Sequence, residues 1–231
     1  MMRMLLGCLV TMLGLASGAT TDDIASVPWI EANLDEMRRL DTYAVEQFVN
    51  RSPAGDPHAT VGEFAWVDLA GDGQYQLVVT LDLSGRAYFD YVAIYRRSPT
   101  GKVRRQWIEG QDVDLGRAIR DLDGDGTKEL ILLSGIDSGD PRGFAWGPSR
   151  VWPKVYRLRS GTYVDGSATF ATYYDQEVLP PLEKELDGAR QSAARAQVPP
   201  ENAEWTARKL MVLELTREKI LGVLGRKPTN R

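Results

Sequence analysis

The spacing of apolar residues changes period twice along the chain and divides it into three stretches. After Pro28, Ile30, Leu34, Met37 and Leu40 recur at helical spacing, and Phe48 and Val49 extend the apolar face to about Asn50. Proline is tolerated in a first helical turn, so the pattern predicts a helix over about 28–50. Arg51-Ser52-Pro53-Ala54-Gly55-Asp56-Pro57 then breaks it as a linker. From Val61 to about Gly166 the apolar positions follow strand spacing. Beyond Phe170 they are helical again: Pro180-Pro181 opens a segment with a narrow seam of Leu182, Leu186, Ala189, Ala193 and Ala196. Val198-Pro199-Pro200 interrupts it. Glu201–Leu224 forms the next helix, with Trp205, Leu210, Leu213, Ile220 and Leu224 on its buried side and Gly225 as its stop. Helices joined by so short a break should pack as an antiparallel hairpin.

The middle stretch contains an internal repeat. Residues 64–79, from Phe64 through Asp68-Leu69-Ala70-Gly71-Asp72-Gly73 to Val79, align without gaps to residues 117–132, from Arg117 through Asp121-Leu122-Asp123-Gly124-Asp125-Gly126 to Leu132. The offset is 53 residues, Phe64 falling on Arg117. The likeness resumes downstream, where the segment around Ile94-Tyr95-Arg96 resembles that around Val155-Tyr156-Arg157 before a Gly-centred turn. Four strand-sized segments per copy are the signature of propeller-type blades. The expected fold is therefore α+β, with two four-stranded antiparallel propeller-blade-like β-repeats, 61–110 and 114–166. An N-terminal helix and linker (20–60) and a C-terminal helical hairpin (171–231) flank them.

The sharpest chemical signal is Asp121-Leu122-Asp123-Gly124-Asp125-Gly126-Thr127-Lys128-Glu129. Alternate residues of a tight turn point inward, so the carboxylates of Asp121, Asp123 and Asp125 converge. Thr127 can add its backbone carbonyl, and Glu129 closes the cluster. Hard oxygen ligands in this number suit Ca²⁺, which takes about 6–8 of them. Asp and Gly are also the favoured turn residues, so a plain turn is the alternative. Four acids exceed what a turn needs and would repel one another without a cation. The loop is not an EF-hand, whose twelfth position is a bidentate glutamate; here it is Leu132, and the flanks read as strands.

The Asp-x-Asp-Gly-Asp-Gly-x-x-Glu-Leu run, set on a β-hairpin and repeated at this interval, resembles the FG-GAP and VCBS repeats. The resemblance covers about 61–166. It implies four-stranded blades, with the family's Ca²⁺ ligands falling on Asp121, Asp123, Asp125, Thr127 and Glu129. It speaks to fold more than to function, since such repeats host adhesion, carbohydrate binding and other roles. The first copy departs from the pattern: Ala70 and Gln76 stand where the third- and ninth-position acids belong, leaving Asp68 and Asp72. One calcium site per chain is expected, in the second loop. A closed propeller needs about 4–8 blades, so the flanking helices should cover the faces that two copies leave open.

Composition narrows the class. A net charge of −4 argues against a general nucleic-acid binder, and 43% hydrophobic residues suffice for a core. Met1-Met2-Arg3, the apolar run Met4–Leu15 and Ala16-Ser17-Gly18-Ala19 read as a signal peptide (1–19) cleaved after Ala19, the run being too short to span a membrane. This predicts a soluble periplasmic or secreted protein. Lipidation at Cys8, within Leu5-Leu6-Gly7-Cys8, is the alternative. With Cys8, the sole cysteine, removed, the mature chain would form no disulfide.

No catalytic signature is present. His58 is the single histidine, with no nucleophile elbow to serve. The pairs Asp112/Asp114 and Asp137/Asp140 keep a glycosidase-like extracytoplasmic hydrolase as the alternative to a non-catalytic binding module. Within Gly135–Pro153, Phe144, Trp146 and Trp152 stand among Gly, Pro and Asp. They either form a binding surface for a protein or carbohydrate partner or plug an open end of the sheets.

Overall fold

The computed structural model describes residues 42–50, 59–82, 91–97, 103–111, 113–136, 151–194 and 200–227. The signal peptide, the part of the helix expected over 28–50 that precedes Thr42, the linker at 51–57, Asp112, Asp137, Asp140, Phe144, Trp146 and Ala196 lie outside the described residues.

Two four-stranded antiparallel sheets form the centre. Strands β1 (Thr60–Val67), β2 (Gln76–Asp82), β3 (Tyr91–Arg97) and β4 (Val103–Glu109) make sheet 1 in sequence order. A helical turn, α2 (Leu115–Ala118), precedes β5 (Ile119–Arg120), β6 (Glu129–Gly135), β7 (Val151–Arg159) and β8 (Thr162–Asp165), which make sheet 2, also in sequence order. Helix α1 (Thr42–Asn50) lies before sheet 1. After β8 come a 3₁₀ turn (Ser167–Thr169), α3 (Ala171–Tyr173), a π turn (Tyr174–Val178), α4 (Leu179–Ala194) and α5 (Pro200–Val223). The fold is α+β, as the change of period implied.

The two copies coincide strand for strand. Trp66 pairs with Leu77 and Val67 with Gln76, while Ile119 pairs with Leu130 and Arg120 with Glu129, every residue 53 beyond its counterpart. Leu77 faces Tyr95 across β2–β3 and Leu130 faces Tyr156 across β6–β7, so the later strands match at a wider offset. The longer β6–β7 connection accounts for the difference.

Three apolar layers run through the molecule in series. Leu77, Val79, Ala93 and Tyr95 on the outer face of sheet 1 pack against Val45, Phe48 and Val49 of α1. Val78, Val92, Ile94 and Ile108 on its inner face meet Leu130, Leu132 and Tyr163 of sheet 2. The far face of sheet 2, with Ile131, Trp152 and Val155, is closed by Phe170, Tyr174 and Ile220. Strand β2 is buried along its whole length, in keeping with Leu77-Val78-Val79-Thr80-Leu81, where apolar residues do not alternate with charged ones and the one polar side chain, Thr80, bonds the Glu63 backbone.

Matched residues lie one layer apart. Leu77, Val79, Trp66 and Tyr95 belong to the outer layer, and their counterparts Leu130, Leu132, Ile119 and Tyr156 to the middle one. Leu69, Val78 and Ile94 belong to the middle layer, and Leu122, Ile131 and Val155 to the last. The sheets are therefore stacked head to tail. The face of sheet 2 that receives sheet 1 is the face of sheet 1 that receives α1.

The C-terminal helices pack antiparallel: of the ion pairs Glu183–Arg217 and Arg190–Glu214, the later residue of α4 meets the earlier residue of α5, and Glu185–Lys209 joins the same two helices. Helix α4 continues α3 through the π turn, whose last bond runs from the Leu179 N–H to the Tyr174 carbonyl, and Pro180 and Pro181, which have no N–H to donate, follow it directly. Helix α5 ends on Gly225 at φ +68°, where the Arg226 N–H donates to the Leu221 carbonyl at 2.8 Å and the Gly225 N–H to Gly222 at 3.0 Å. That pair of bonds is the Schellman ending, and it needs a residue free to be left-handed. Trp205, expected on the buried side, is 51% exposed, because it lies on the part of α5 beyond the reach of sheet 2.

Candidate metal centre

Each Asp/Gly loop joins the first two strands of its sheet, and its shape comes from side chains bonding the loop's own backbone. Asp68 Oδ2 accepts from the Gly73 N–H at 2.8 Å, and Asp121 Oδ2 from the Gly126 N–H at 3.0 Å. Asp72 Oδ1 accepts from the Gln74 N–H at 2.9 Å, and Asp125 Oδ1 from the Thr127 N–H at 2.7 Å. The bond from Gly73, with those from Asp72 and Gly71, holds the Asp68 carboxyl below its ordinary range despite partial desolvation.

The loops diverge at their ninth residue, which is buried in both. Gln76 Oε1 accepts from the Leu69 N–H at 2.8 Å, and Glu129 Oε2 accepts from the Leu122 N–H at 2.9 Å. Gln76 then uses its second polar atom: Nε2 donates to the Gln74 carbonyl at 2.6 Å, closing the first loop on itself. Glu129 is 1% exposed, and an ionised carboxylate has no hydrogen to give the matching carbonyl of Thr127. Burial pushes the Glu129 carboxyl up, and the charges of Asp123, Asp125 and Asp121 push it further, against the pull of the Leu122 N–H.

Carboxylate oxygens of Asp121, Asp123 and Glu129 all lie within 4.8 Å of one another. The fold thus assembles three of the four acids read from the sequence. Asp125 stands outside that trio, exposed and bonded to the Thr127 N–H, although its charge is felt at Glu129. An all-oxygen set with a buried, desolvated carboxylate at its base could hold a hard divalent cation, which would supply positive charge and bridge acceptors that repel. In the first loop, one amide hydrogen bond does this bridging without charge.

Lys128 was not singled out by the sequence. Its N–H donates to the Leu69 carbonyl at 2.8 Å, its ammonium to the Asp68 carbonyl at 3.2 Å, and its carbonyl accepts from the Tyr163 hydroxyl at 2.6 Å. The residue that separates Thr127 from Glu129 therefore pins the second loop to the first. Burial keeps the Tyr163 phenol neutral and a donor. The loops touch so closely that a Cβ on Gly71, at φ +70°, would lie 2.6 Å from the Gly126 carbonyl oxygen. The visible signal was only the break in the repeat, Lys128 standing opposite Tyr75.

Of the aromatics read either as a binding surface or as a plug of the sheets, Trp152 is core. It belongs to β7, is 3% exposed and stacks on Tyr174 at 6.3 Å between ring centroids, with the Lys219 ammonium 5.5 Å from its own. Its side chain is drawn inward because the far face of sheet 2 must be closed by the C-terminal helices. Among the described residues, no helix is long and apolar enough to cross a membrane. No protein-family model, curated protein or solved structure matches the chain.

Proposed function

We propose that this chain is an exported, non-catalytic interaction module made of two FG-GAP/VCBS-like repeats, the second holding Ca²⁺ on Asp121, Asp123, Asp125, Glu129 and the Thr127 carbonyl. The observation that carries the reading is the exchange of Gln76 for Glu129 at one position of two otherwise matching loops. Where the amide is present the loop bonds itself shut; where the carboxylate is present the loop gathers acids around a buried charge. The head-to-tail stacking supports the blade-like part of the reading, since successive propeller blades present unlike faces to each other. The N-terminal pattern supports export, and the lack of a catalytic constellation supports a binding role.

Calorimetric titration with Ca²⁺ should find one site per chain, with a rise in melting temperature that chelator reverses. Asp123→Ala should abolish both. Asp72→Asn should leave binding intact and cost no more than a turn residue does, about 1 kcal/mol. Two sites, or none in the folded protein, would overturn the reading. A glycoside-hydrolysing activity lost on changing one acid pair would overturn its non-catalytic part.

A further inference from the structure

We propose that two copies of this chain join through strand β4, edge to edge and antiparallel, so that their two first sheets make one continuous sheet. This inference is independent of metal binding.

A strand at the edge of a sheet carries a row of N–H and C=O groups that another chain can bond, and folds protect such edges by shortening, bending or covering them. Sheets 1 and 2 have four edge strands, β1, β4, β5 and β8, and three of them are protected. Strand β5 is two residues long. Strand β8 has four residues, and side chains from sheet 1 close it. The Gln106 amide accepts from the Tyr163 N–H at 2.8 Å and donates to the Tyr163 carbonyl at 2.7 Å, as a neighbouring strand would, and Arg96 donates to the Gly161 carbonyl at 2.5 Å. Strand β1 is bulged between Val61 and Phe64, where two of its residues stand against one of β2. The bulged Glu63 also accepts from the Leu115 N–H at 2.8 Å, which brings α2 against that edge. Strand β4 has none of these devices. It pairs with β3 over seven consecutive residues, from Val103–Arg97 to Glu109–Tyr91, with no shift of register. Among the described residues, no strand lies beyond it.

The charges of the strand select a second copy as the occupant. Arg104 stands near its start and Glu109 at its end, and both are exposed. When two such strands run antiparallel about a twofold axis, the arginine end of each lies beside the glutamate end of the other, and the match occurs twice. A parallel pair would set like charges together. Apolar surface lies on the same side of the stack. Gln106 ties β8 to β4, and β8 carries Val164, 39% exposed. A copy arriving at β4 therefore brings its own β8 toward this one, so the contact extends from the backbone ladder of sheet 1 to the edge of sheet 2.

Sedimentation equilibrium of the full chain, with hydrogen exchange on the same samples, tests the pairing. The expected species has twice the mass of the chain, and the amides of 104–109 that β3 leaves unbonded should exchange more slowly as concentration rises. Glu109→Arg and Arg104→Glu each set like charges against one another, and each should raise the dissociation constant of the dimer about tenfold. The double variant restores opposite signs and should recover most of the loss. Wild-type circular dichroism in the single variants separates loss of pairing from loss of fold; should either fail to fold, the exchange of the wild type decides. A monomer at every concentration overturns the proposal. So does a dimer whose β4 amides ignore concentration, which would be joined through another surface. Folded single variants that associate like the wild type, or a double variant no better than the singles, also overturn it.

Discussion

At residue 129 one atom separates an amide from a carboxylate, and the difference decides what the loop needs. Glu129→Gln should abolish calcium binding yet raise the stability of the metal-free protein, by about 1 kcal/mol if the new amide copies the bond made by Gln76. The sign has a pH signature. The Glu129 carboxyl is raised from its ordinary 4.5, so its ionisation in the folded state is unfavourable. The protonated form favours folding below the unfolded value, and that contribution is lost as pH rises through the folded one. Melts in chelator should therefore show wild type and Glu129→Gln drawing together below about pH 4.5 and parting above it, with Ca²⁺ rescuing wild type alone. Gly71 gives a second residue-scale test. Gly71→Ala should destabilise by about 1–3 kcal/mol in urea, because it combines positive φ with a 2.6 Å approach to backbone that cannot swing aside. Gly73 shares the positive φ and has open space, so Gly73→Ala should cost less.

At the scale of elements, local chemistry was legible and placement was not. The loops, strands and helix stop at Gly225 could be read because each depends on neighbours in sequence: Asp side chains bonding nearby N–H groups, alternation along a strand, a left-handed ending. Trp205 was misplaced, and Trp152 left open between a surface and a plug, because burial depends on which sheet a helix reaches. Helical periodicity suggested a buried side for Trp205, which instead projects beyond sheet 2, while Trp152 packs inside against Tyr174. Trp152→Ala should accordingly cost about 3–5 kcal/mol in denaturant unfolding while leaving calcium affinity within a factor of two. A large loss of affinity with little loss of stability would return this residue to a binding role. The tie through Lys128 was invisible for the same reason: its partners lie in the other repeat or in β8.

For the whole molecule, the repeat announced two sheets but said nothing about which faces would meet. Identical spacing serves a face-to-face pair, related by a twofold axis, as well as a head-to-tail stack. Side-chain size decided it: Ala93 and the larger Phe64, Tyr95 and Trp107 suit the outer face of sheet 1 to helices, whereas Val78, Val92 and Ile94 make a flatter face that accepts another sheet. Export belongs to this scale too. Mass spectrometry of protein recovered from an oxidising compartment should find an N-terminus at Thr20 and no lipid; a diacylated Cys8 would place the chain on a membrane instead.

Head-to-tail stacking also bears on how such a molecule can grow. Because the receiving face recurs in each copy, the arrangement contains no internal instruction to stop at two; the helices at either end provide it. Gene duplication could insert another unit of about fifty residues between the copies without altering either terminus, since the newcomer would meet on each side a surface already suited to it. Length is thus a modular variable of this architecture, and the helical ends are the parts that natural variation has least freedom to discard.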